Sequence, residues 1–223
     1  MIELKKLANM IDHTLLRADA KEEELKQLCK EADQYGFKMV AINSYPVYMC
    51  RTYLGESPVH VGAAIGFPLG QTTIETKVFE VKDAIKNGAD EIDYVINVGK
   101  LKDGDIDYIR KEMKAIVDAS KEGNILSKVI LETCYLTEEE KVQVCEIAKE
   151  IRPDFVKTST GFGTGGATIE DVKLMKAVVG EQVKVKAAGG IRDLTTALAM
   201  VEAGAERLGT SSGIKIVEEY KKK

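Results

Sequence analysis

The chain has 223 residues, of which 44% are hydrophobic and 30% charged, and its net charge is -4 at pH 7. This balance predicts a globular protein with a large core, and it excludes the basic surface that nucleic-acid or anionic-membrane partners require. No apolar run reaches transmembrane length and the first residues do not lead into a signal-peptide core, so we expect a cytoplasmic protein. Four cysteines without a C-x-x-C pair and two histidines do not have the spacing of a zinc site, and no metal is expected.

Strand-like and helix-like segments alternate along the whole chain. After a short helix at residues 4–10, eight short β-branched segments predict strands at 10–14, 39–43, 59–67, 91–97, 128–133, 155–159, 183–187 and 207–209. Each strand is followed by a segment with helical spacing of apolar residues, at 21–35, from 46, and at 73–87, 106–120, 137–151, 168–180, 193–204 and 214–221. Gly36 and Gly88 are predicted to stop two of these helices, and Thr137 with Glu140 forms a capping box.

Eight strand–helix units in a chain of this length favour one architecture. Strict alternation predicts a parallel sheet, and eight units predict a closed (β/α)8 or TIM barrel with a short extra N-terminal helix. We find no linker, so residues 1–223 are predicted to form a single domain. An open doubly wound sheet is the alternative. In a barrel of this kind the active site lies at the C-terminal ends of the strands.

Two lysines close the sixth and seventh predicted strands. Lys157 and Lys186 are one strand–helix–strand unit apart, and neighbouring parallel strands lie roughly 4.8 Å apart. Two ammonium groups about 5 Å apart repel by roughly 3 kcal/mol, which is about 2 pKa units. Because an amine must be neutral to attack a carbonyl, the pair predicts a Schiff-base site. The alternative is two unrelated surface lysines, and strand parity alone leaves open whether Lys184 or Lys186 faces the pocket.

Three glycine-rich segments follow the last three predicted strands. Glycine lets backbone N–H groups approach an anion closely, and helix N-termini behind the loops add partial positive charge. Phosphate sites after the seventh and eighth strands are typical of barrel enzymes, so we predict a phosphorylated ligand, although a single such loop is often only a tight turn. Arg192 either pairs with the phosphate or is a solvated residue at a helix start. The candidate residues are Gly161, Gly189, Gly190, Arg192, Gly209, Ser211 and Ser212.

Further polar residues lie on other predicted strands. Asp93 is an acid among apolar residues, which is costly unless it is paired or functional, so it is predicted either to relay protons or to form a salt bridge. Residues 12–14, with the sequence Asp-His-Thr, end the first strand and either face the substrate or form a turn. Lys128 and Glu132 share strand parity and are predicted to belong to one polar network.

Six segments together carry a family resemblance. They are IDHTL at 11–15, EID at 91–93, KVILET at 128–133, VKTSTG at 156–161, KAAGGIR at 186–192 and GTSS at 209–212. In this order they resemble the deoxyribose-phosphate aldolase family, and the match runs from the first predicted strand to the eighth. The segments that contain Lys157 and Lys186 are specific when taken together, whereas either alone is only suggestive.

The resemblance implies a class I aldolase on a TIM barrel that uses no metal or other cofactor. Such an enzyme reversibly cleaves 2-deoxy-D-ribose 5-phosphate, a phosphorylated sugar, to D-glyceraldehyde 3-phosphate and acetaldehyde. By resemblance Lys157 forms the Schiff base, Lys186 lowers its pKa, and Asp93 assists proton transfer with a water. The family also implies a homodimer. The resemblance places further residues near the substrate, namely Asp12, Thr14 and Lys128, and others in phosphate loops, namely Gly161, Gly189, Gly190, Gly209, Ser211 and Ser212.

Other activities stay open beside this one. The first is another Schiff-base aldolase of phosphorylated sugars, and the second is a metal-free phosphosugar isomerase, which would form no imine. The third is a barrel that binds a phosphate ligand without catalysis. Some family members carry a C-terminal tyrosine that reaches the active site, but Tyr220 is followed here by only three lysines, so we assign it no catalytic role.

Overall fold

The computed structural model describes residues 2–223 and contains a closed barrel of parallel strands in chain order. The strands are β1 (Ile11–Thr14), β2 (Met39–Asn43), β3 (His60–Ile65), β4 (Glu91–Val95), β5 (Leu126–Ile130), β6 (Phe155–Lys157), β7 (Lys184–Ala188) and β8 (Arg207–Thr210). Because β1 also pairs with β8, the sheet has no edge. The predicted TIM barrel is confirmed and the open doubly wound alternative is wrong.

Helices surround the barrel and connect each strand to the next. They are α1 (Leu4–Ala8), α2 (Glu22–Tyr35), α3 (Val47–Leu54), α4 (Ile74–Lys86), α5 (Val98–Lys102), α6 (Ile106–Glu122), α7 (Glu138–Ile151), α8 (Ile169–Val179), α9 (Leu194–Glu202) and α10 (Gly213–Lys221). The capping box of Thr137 and Glu140 begins α7, and Gly36 ends α2 with φ 66°, as predicted. Within residues 2–223, no helix combines the length and the apolar character needed to cross a membrane.

The fifth and sixth strands end earlier than predicted. β5 stops at Ile130 and β6 at Lys157, two or three residues before the predicted ends. Glu132 has φ 56° and ψ 61°, a left-handed conformation that turns the chain away from the extended direction and into a 3-10 turn at Thr133–Tyr135. α5 was not predicted, because five residues that include Gly99 show no helical period.

Charged side chains fill much of the barrel interior. Along β5 to β8 they alternate with apolar residues on the opposite face, such as Val129, Val156, Val185 and Leu208, which belong to the hydrophobic core under the helices. Branched apolar residues usually fill the interior of such barrels, and burying charges costs free energy unless they are paired. The charged interior residues are Asp12, Glu91, Asp93, Lys128, Lys157, Lys186 and Arg207, all of them buried. Their charges must therefore be matched to one another.

A second buried ion pair lies outside the barrel, between α4 and α6. Lys77 Nζ is 2.6 Å from Glu112 Oε1, and both side chains are fully buried. Lys77 also donates to the carbonyl oxygens of Gly70 at 2.8 Å and Val95 at 2.7 Å, while Glu112 accepts from the backbone N–H of Asn97 at 3.0 Å. Burial lowers the pKa of Lys77 and raises that of Glu112, so each charge depends on its partner. The pair joins two helices to the segments that follow β3 and β4.

Replacing Glu112 by alanine is expected to destabilise the fold strongly. The change leaves the Lys77 ammonium buried without a carboxylate, which typically costs about 3–5 kcal/mol. Urea unfolding at pH 7 measures the loss. Glu122→Ala on the same helix is the matched control, because its pair with Lys82 is 3.8 Å long and exposed. Equal unfolding midpoints for the two variants would contradict a structural role for the buried pair.

Candidate active site

Lys157 and Lys186 meet near the C-terminal end of the barrel, where they are register partners on β6 and β7. The Nζ atom of each lies 2.7 Å from the same oxygen, Oδ2 of Asp93. The two nitrogens are therefore separated by no more than twice that distance. The Lys157 side chain keeps 4% of its surface exposed, whereas Lys186 is fully enclosed. The structure thus brings together the two lysines that the sequence placed at neighbouring strand ends.

Asp93 is the centre of this cluster. Its Oδ2 contacts Lys157 and Lys186, and its Oδ1 accepts a hydrogen bond from Lys128 Nζ at 2.8 Å. Burial alone would raise the pKa of this carboxyl group, but the three surrounding ammonium groups outweigh burial and hold its pKa well below the usual range. Asp93 is thus held as a carboxylate in contact with the Lys157 nitrogen.

The pKa of Lys157 is lowered to about 8. Burial is the largest cause, the positive charge of Lys186 adds to it, and the negative charge of Asp93 opposes it. At pH 7 roughly one Lys157 side chain in ten is then neutral, against about one in 2,500 for a free lysine. The sequence analysis predicted that the second lysine lowers this pKa. In the structure burial lowers it most, and the charge of Lys186 is the second contribution that lowers it.

A deeper layer of ion pairs lies below the lysines. Asp12 Oδ2 is 2.5 Å from Lys186 Nζ, and Asp12 Oδ1 accepts from Arg207 Nε at 2.8 Å. Glu91 lies 3.1 Å from Arg207 and 2.5 Å from Lys128. Burial opposes the charge of Glu91, yet Lys128, His60 and Arg207 together hold its pKa below the ordinary value. Each interior charge therefore has at least one partner of opposite sign.

Sequence reasoning missed Arg207 as a member of this network. The available signal was a charged residue in a short strand, at the same parity as Gly209. Lys128 and Glu132 do not share a network, contrary to the expectation from strand parity. Lys128 contacts Asp93 and Glu91, whereas the chain has left the strand before Glu132, whose carboxylate accepts instead from Thr160.

A cavity of about 320 Å³ opens above Lys157 at this end of the barrel. Asp12, Asp93, Lys128 and Lys186 are buried and lie outside its wall, and Ser212 is also outside it, with its N–H donating to Thr210 Oγ1 at 2.9 Å. The predicted site residues that do line the cavity are Thr14, Lys157, Gly161, Gly189, Gly190, Arg192, Gly209 and Ser211. In residues 2–223, no three His, Cys, Asp or Glu side chains are grouped so as to hold a metal ion.

The glycine-rich loops after β6 and β7 form one wall of the cavity. Gly161, Gly189 and Gly190 have backbone φ values of 89°, 88° and 81°, which residues other than glycine rarely adopt. The two loops touch backbone to backbone, because a Cβ at Gly166 would lie 2.3 Å from the Gly189 carbonyl oxygen. These glycines therefore expose backbone to the cavity and keep the two loops in contact.

Arg192 and Arg17 are the two arginines on the cavity wall. Asp19 and Glu24 bind the guanidinium of Arg17, with Asp19 at 2.7 Å. Within residues 2–223, Arg192 is exposed and has no carboxylate within ion-pair distance. Arg192 thus supplies a positive charge at the rim of the cavity that no acid of the described chain neutralises.

Gly209 lies within β8 rather than in a loop, and it makes room for Lys186. A Cβ at this position would lie 2.9 Å from the Cβ of Ala188 and 3.2 Å from the Cε of Lys186. A side chain here would force Ala188 to shift and would press on Lys186. The glycine that the sequence assigned to phosphate binding therefore also determines where Lys186 lies.

Two residues whose roles were open lie away from the cavity. Lys184 is exposed at the start of β7, with its Nζ 5.6 Å from the centre of the Phe155 ring, so Lys186 rather than Lys184 joins the buried network. Tyr220 lies near the end of α10, and its hydroxyl group donates to the Ile2 carbonyl oxygen at 2.6 Å. Tyr220 thus fastens the last helix to the start of the chain.

Comparison of the sequence with known proteins finds aldolases that match nearly the whole chain. A family model described as DeoC/LacD family aldolase matches residues 6–219. A deoxyribose-phosphate aldolase of Lactobacillus acidophilus is 57% identical over 218 residues, which cover 98% of this chain and 92% of the relative. The enzyme of that name from Thermococcus gammatolerans is 57% identical over 214 residues, or 95% of each chain.

Solved structures agree with the sequence matches. The aldolase QR15 superposes with a TM-score of 0.92 at 41% identity, covering 100% of this chain and 97% of its own. A deoxyribose phosphate aldolase of Aeropyrum pernix, described as having a unique tetrameric structure, superposes with a TM-score of 0.90 at 32% identity, covering 98% and 92%. The chain described here belongs to the DeoC/LacD family of aldolases.

Proposed function

We propose that this chain is a deoxyribose-phosphate aldolase that reversibly cleaves 2-deoxy-D-ribose 5-phosphate to D-glyceraldehyde 3-phosphate and acetaldehyde. The observation that carries the proposal is the Lys157 amine, which has a pKa of about 8, contacts Asp93 and is the one lysine on the cavity wall within residues 2–223. A partly neutral amine at the floor of a cavity is the nucleophile that Schiff-base chemistry needs. The 57% sequence identity to enzymes of this name, over nearly the whole chain, supports the choice of substrate.

The reaction begins when the neutral Lys157 nitrogen adds to the C1 aldehyde of the open-chain sugar, and loss of water leaves an iminium ion. The iminium withdraws the electron pair of the C2–C3 bond while a base takes the proton of the C3 hydroxyl group. The bond breaks, and glyceraldehyde 3-phosphate leaves with the new C3 carbonyl. Protonation of the remaining enamine at C2 and addition of water to the iminium release acetaldehyde and restore Lys157.

Asp93, acting with a water molecule, is the proposed proton carrier. Its carboxylate oxygen Oδ2 lies 2.7 Å from the Lys157 nitrogen, within reach of a proton moving to or from the atoms bonded to that nitrogen. Lys186 shares this oxygen, and its charge favours the neutral form of Lys157. Asp12 and Lys128 are proposed to act from below the cavity, by fixing Lys186 and Asp93 respectively.

The phosphate of the substrate is proposed to bind at the glycine-rich wall. Gly161, Gly189 and Gly190 expose backbone there, and Arg192 adds the positive charge that no acid of the described chain neutralises. Ser211 lines the same cavity and can donate a hydroxyl hydrogen bond, whereas the hydroxyl group of Thr14, also on the wall, donates to the Asp12 carbonyl oxygen at 2.9 Å. Binding the remote phosphate aligns C1 with Lys157, which lowers the entropic part of the barrier.

Reductive trapping tests the proposal and separates it from its alternatives. Pure protein is incubated with acetaldehyde and borohydride, and the peptides are mapped by mass spectrometry. We expect a two-carbon adduct on Lys157, because this lysine is the one with a lowered pKa on the cavity wall. Lys184, which is exposed, is the internal control for unspecific reaction.

An adduct on Lys157 with acetaldehyde but not with dihydroxyacetone would identify the donor and set aside other phosphosugar aldolases. Absence of any adduct would contradict the Schiff-base mechanism, and it would favour an isomerase or a non-catalytic phosphate-binding barrel. Equal labelling of Lys184 and Lys157 would likewise contradict the role given to Lys157.

We also propose that the chain forms a homodimer. Three large aromatic side chains, Tyr45, Tyr48 and Phe79, are 89%, 66% and 73% exposed. Ser44 Oγ donates to Glu80 Oε1 at 2.7 Å, which brings the segment before α3 against α4 and places these rings on neighbouring elements. Clustered exposed aromatics are typical of protein interfaces.

Sedimentation velocity is expected to give the mass of two chains for the wild-type protein. Phe79→Glu should shift the mass toward one chain, because it places a charge in the proposed contact. Ile169→Glu, on the partly exposed start of α8, is the control and should leave the mass unchanged. A monomeric or tetrameric wild-type protein would contradict the proposed dimer.

A cytoplasmic location completes the proposal. Within residues 2–223 the four cysteines, Cys29, Cys50, Cys134 and Cys145, are free thiols. Reducing compartments keep thiols in this state, whereas secreted proteins usually pair them. Cell fractionation with antibodies against the protein tests the location directly.

A further inference from the structure

Glu132 combines two features that are costly unless they are used. Its backbone has the left-handed conformation, which residues other than glycine rarely adopt. It is also an acid, and the residue is only 3% exposed. Within residues 2–223 no lysine, arginine or histidine lies within ion-pair distance of it, unlike the acids of the barrel interior. A strained backbone that carries a buried acid points to a function for this position.

Apart from the Cys134 thiol, whose Sγ is 4.0 Å from Oε1, the hydrogen-bond partners of Glu132 lie on the loop that follows Lys157. Oε1 accepts from the backbone N–H of Thr160 at 3.1 Å, and Oε2 accepts from the Thr160 hydroxyl group. The Thr160 hydroxyl oxygen in turn accepts from the backbone N–H of Phe162 at 3.0 Å. One carboxylate thus orients two successive hydrogen bonds of the loop at residues 158–162, which we call the lysine loop.

The lysine loop forms part of the wall of the cavity above Lys157. Thr160, Gly161 and Phe162 all line that cavity. The following residue packs directly on the acid, since a Cβ at Gly163 would lie 3.2 Å from Cδ of Glu132. A small movement of Glu132 would therefore move the cavity wall.

Glu132 does not act on the reacting carbons in this arrangement. Both of its carboxylate oxygens are engaged by Thr160, whereas Asp93 is the acid in contact with Lys157. Glu132 also lines a neighbouring cavity of about 410 Å³, which shares Thr160 and Phe162 with the first. Its carboxylate thus lies behind Thr160, between two cavities.

We propose that Glu132 is a positioning residue that, through Thr160, holds the lysine loop so that its backbone faces the phosphate of the substrate. The inference rests on the proposed function for the identity of the substrate. The left-handed backbone at Glu132 turns the carboxylate toward Thr160, and the turn it starts is fixed to the same loop by the Thr133 N–H, which donates to the Thr158 carbonyl oxygen at 2.9 Å.

The test compares a phosphorylated with an unphosphorylated substrate. Glu132 accepts from both the backbone N–H and the hydroxyl group of Thr160, whereas the amide in Glu132→Gln has a single acceptor oxygen, so one of these two donors loses its acceptor. We expect kcat/KM for 2-deoxyribose 5-phosphate to fall by about 100-fold, mostly through KM, because a wall displaced by about 1 Å no longer fits the phosphate. The value for 2-deoxyribose should change much less, and the pH profile should keep its shape.

Two further variants keep the test independent of misfolding. Thr160→Val keeps the acid but removes the hydroxyl group that joins Glu132 to Phe162 and should show the same KM effect, while Thr160→Ser keeps that hydroxyl group and should retain most of the wild-type value. Glu23→Gln, which makes the same charge change at an exposed position of α2, is the control. Equal losses on both substrates, or a shifted pH profile, would overturn the positioning role.

Calorimetry with inorganic phosphate separates this inference from the proposed function. Weaker phosphate binding in Glu132→Gln and Thr160→Val supports the positioning role even if the wild-type protein fails to cleave the sugar phosphate. If the wild-type protein is an active aldolase and both variants bind phosphate and substrate as it does, the inference is wrong while the proposed function stands.

Discussion

Replacing Lys157 by leucine is expected to abolish turnover without unfolding the protein. Loss of the nucleophile removes the only group that the mechanism allows to form the imine, so kcat should fall by roughly 10⁴-fold or more. The fold should tolerate the change, because Asp93 keeps its contacts with Lys128 and Lys186. Burying the Lys157 ammonium group costs free energy of desolvation, as its lowered pKa shows, and leucine removes that cost.

Steady-state cleavage of 2-deoxyribose 5-phosphate measures the loss, and thermal unfolding checks the fold. Binding of inorganic phosphate should persist in Lys157→Leu, since the glycine-rich wall is untouched. Lys184→Leu, on the adjoining strand but exposed, is the control and should retain activity. Residual turnover within tenfold of the wild type would show that another group is the nucleophile.

Lys186→Leu is expected to give the second largest loss and to move the pH optimum upward. The charge of Lys186 is one of the causes that lower the pKa of Lys157, and its removal also leaves Asp93 Oδ2 to Lys157 alone. Both changes raise the pKa of Lys157 above about 8 and toward the ordinary lysine value. Because burial still lowers this pKa, it stops short of the ordinary value, and the neutral fraction at pH 7 should drop about tenfold for each unit by which the pKa rises.

The pH dependence of kcat/KM distinguishes this electrostatic role from a structural one. In the wild type the rate should rise as the pH approaches 8, because Lys157 deprotonates over that range. In Lys186→Leu the same rise should occur at higher pH, so that part of the activity returns in alkaline buffer. A variant that loses activity equally at every pH would instead indicate collapse of the site around Asp12 and Asp93.

The strands and the alignment of Lys157 with Lys186 could be predicted from the sequence because both follow local patterns. β-branched runs predict β6 and β7, and parallel pairing aligns Lys157 with Lys186. Lys157 ends β6, but β7 continues to Ala188, so the prediction that Lys186 closes its strand is wrong. Strand alternation likewise puts Glu91 and Asp93 on one face, and the structure has both in the interior network. These inferences needed only the two-residue period of a strand and the parallel pairing of neighbouring strands in a barrel.

Features that depend on where the chain leaves a strand could not be predicted in the same way. Parity grouped Glu132 with Lys128, but a single left-handed residue ends the alternation and turns the side chain toward Thr160. One partner of Arg207 is Asp12, from the opposite end of the sequence, and only closure of the barrel brings the two together. The extent to which burial lowers the pKa of Lys157 likewise depends on how the folded chain packs around it.

The charged interior of the barrel sets a limit on how this protein can be made more robust. In most barrels an engineer can refill the interior with larger hydrocarbon side chains, but here the cross-barrel pairs of Asp12, Glu91 and Arg207 adjoin the residues that carry out the reaction. Substitutions that raise the thermal stability without loss of activity must therefore lie outside the barrel interior, on helix surfaces or in loops. Substitutions inside the barrel that raise the melting temperature will trade turnover for it.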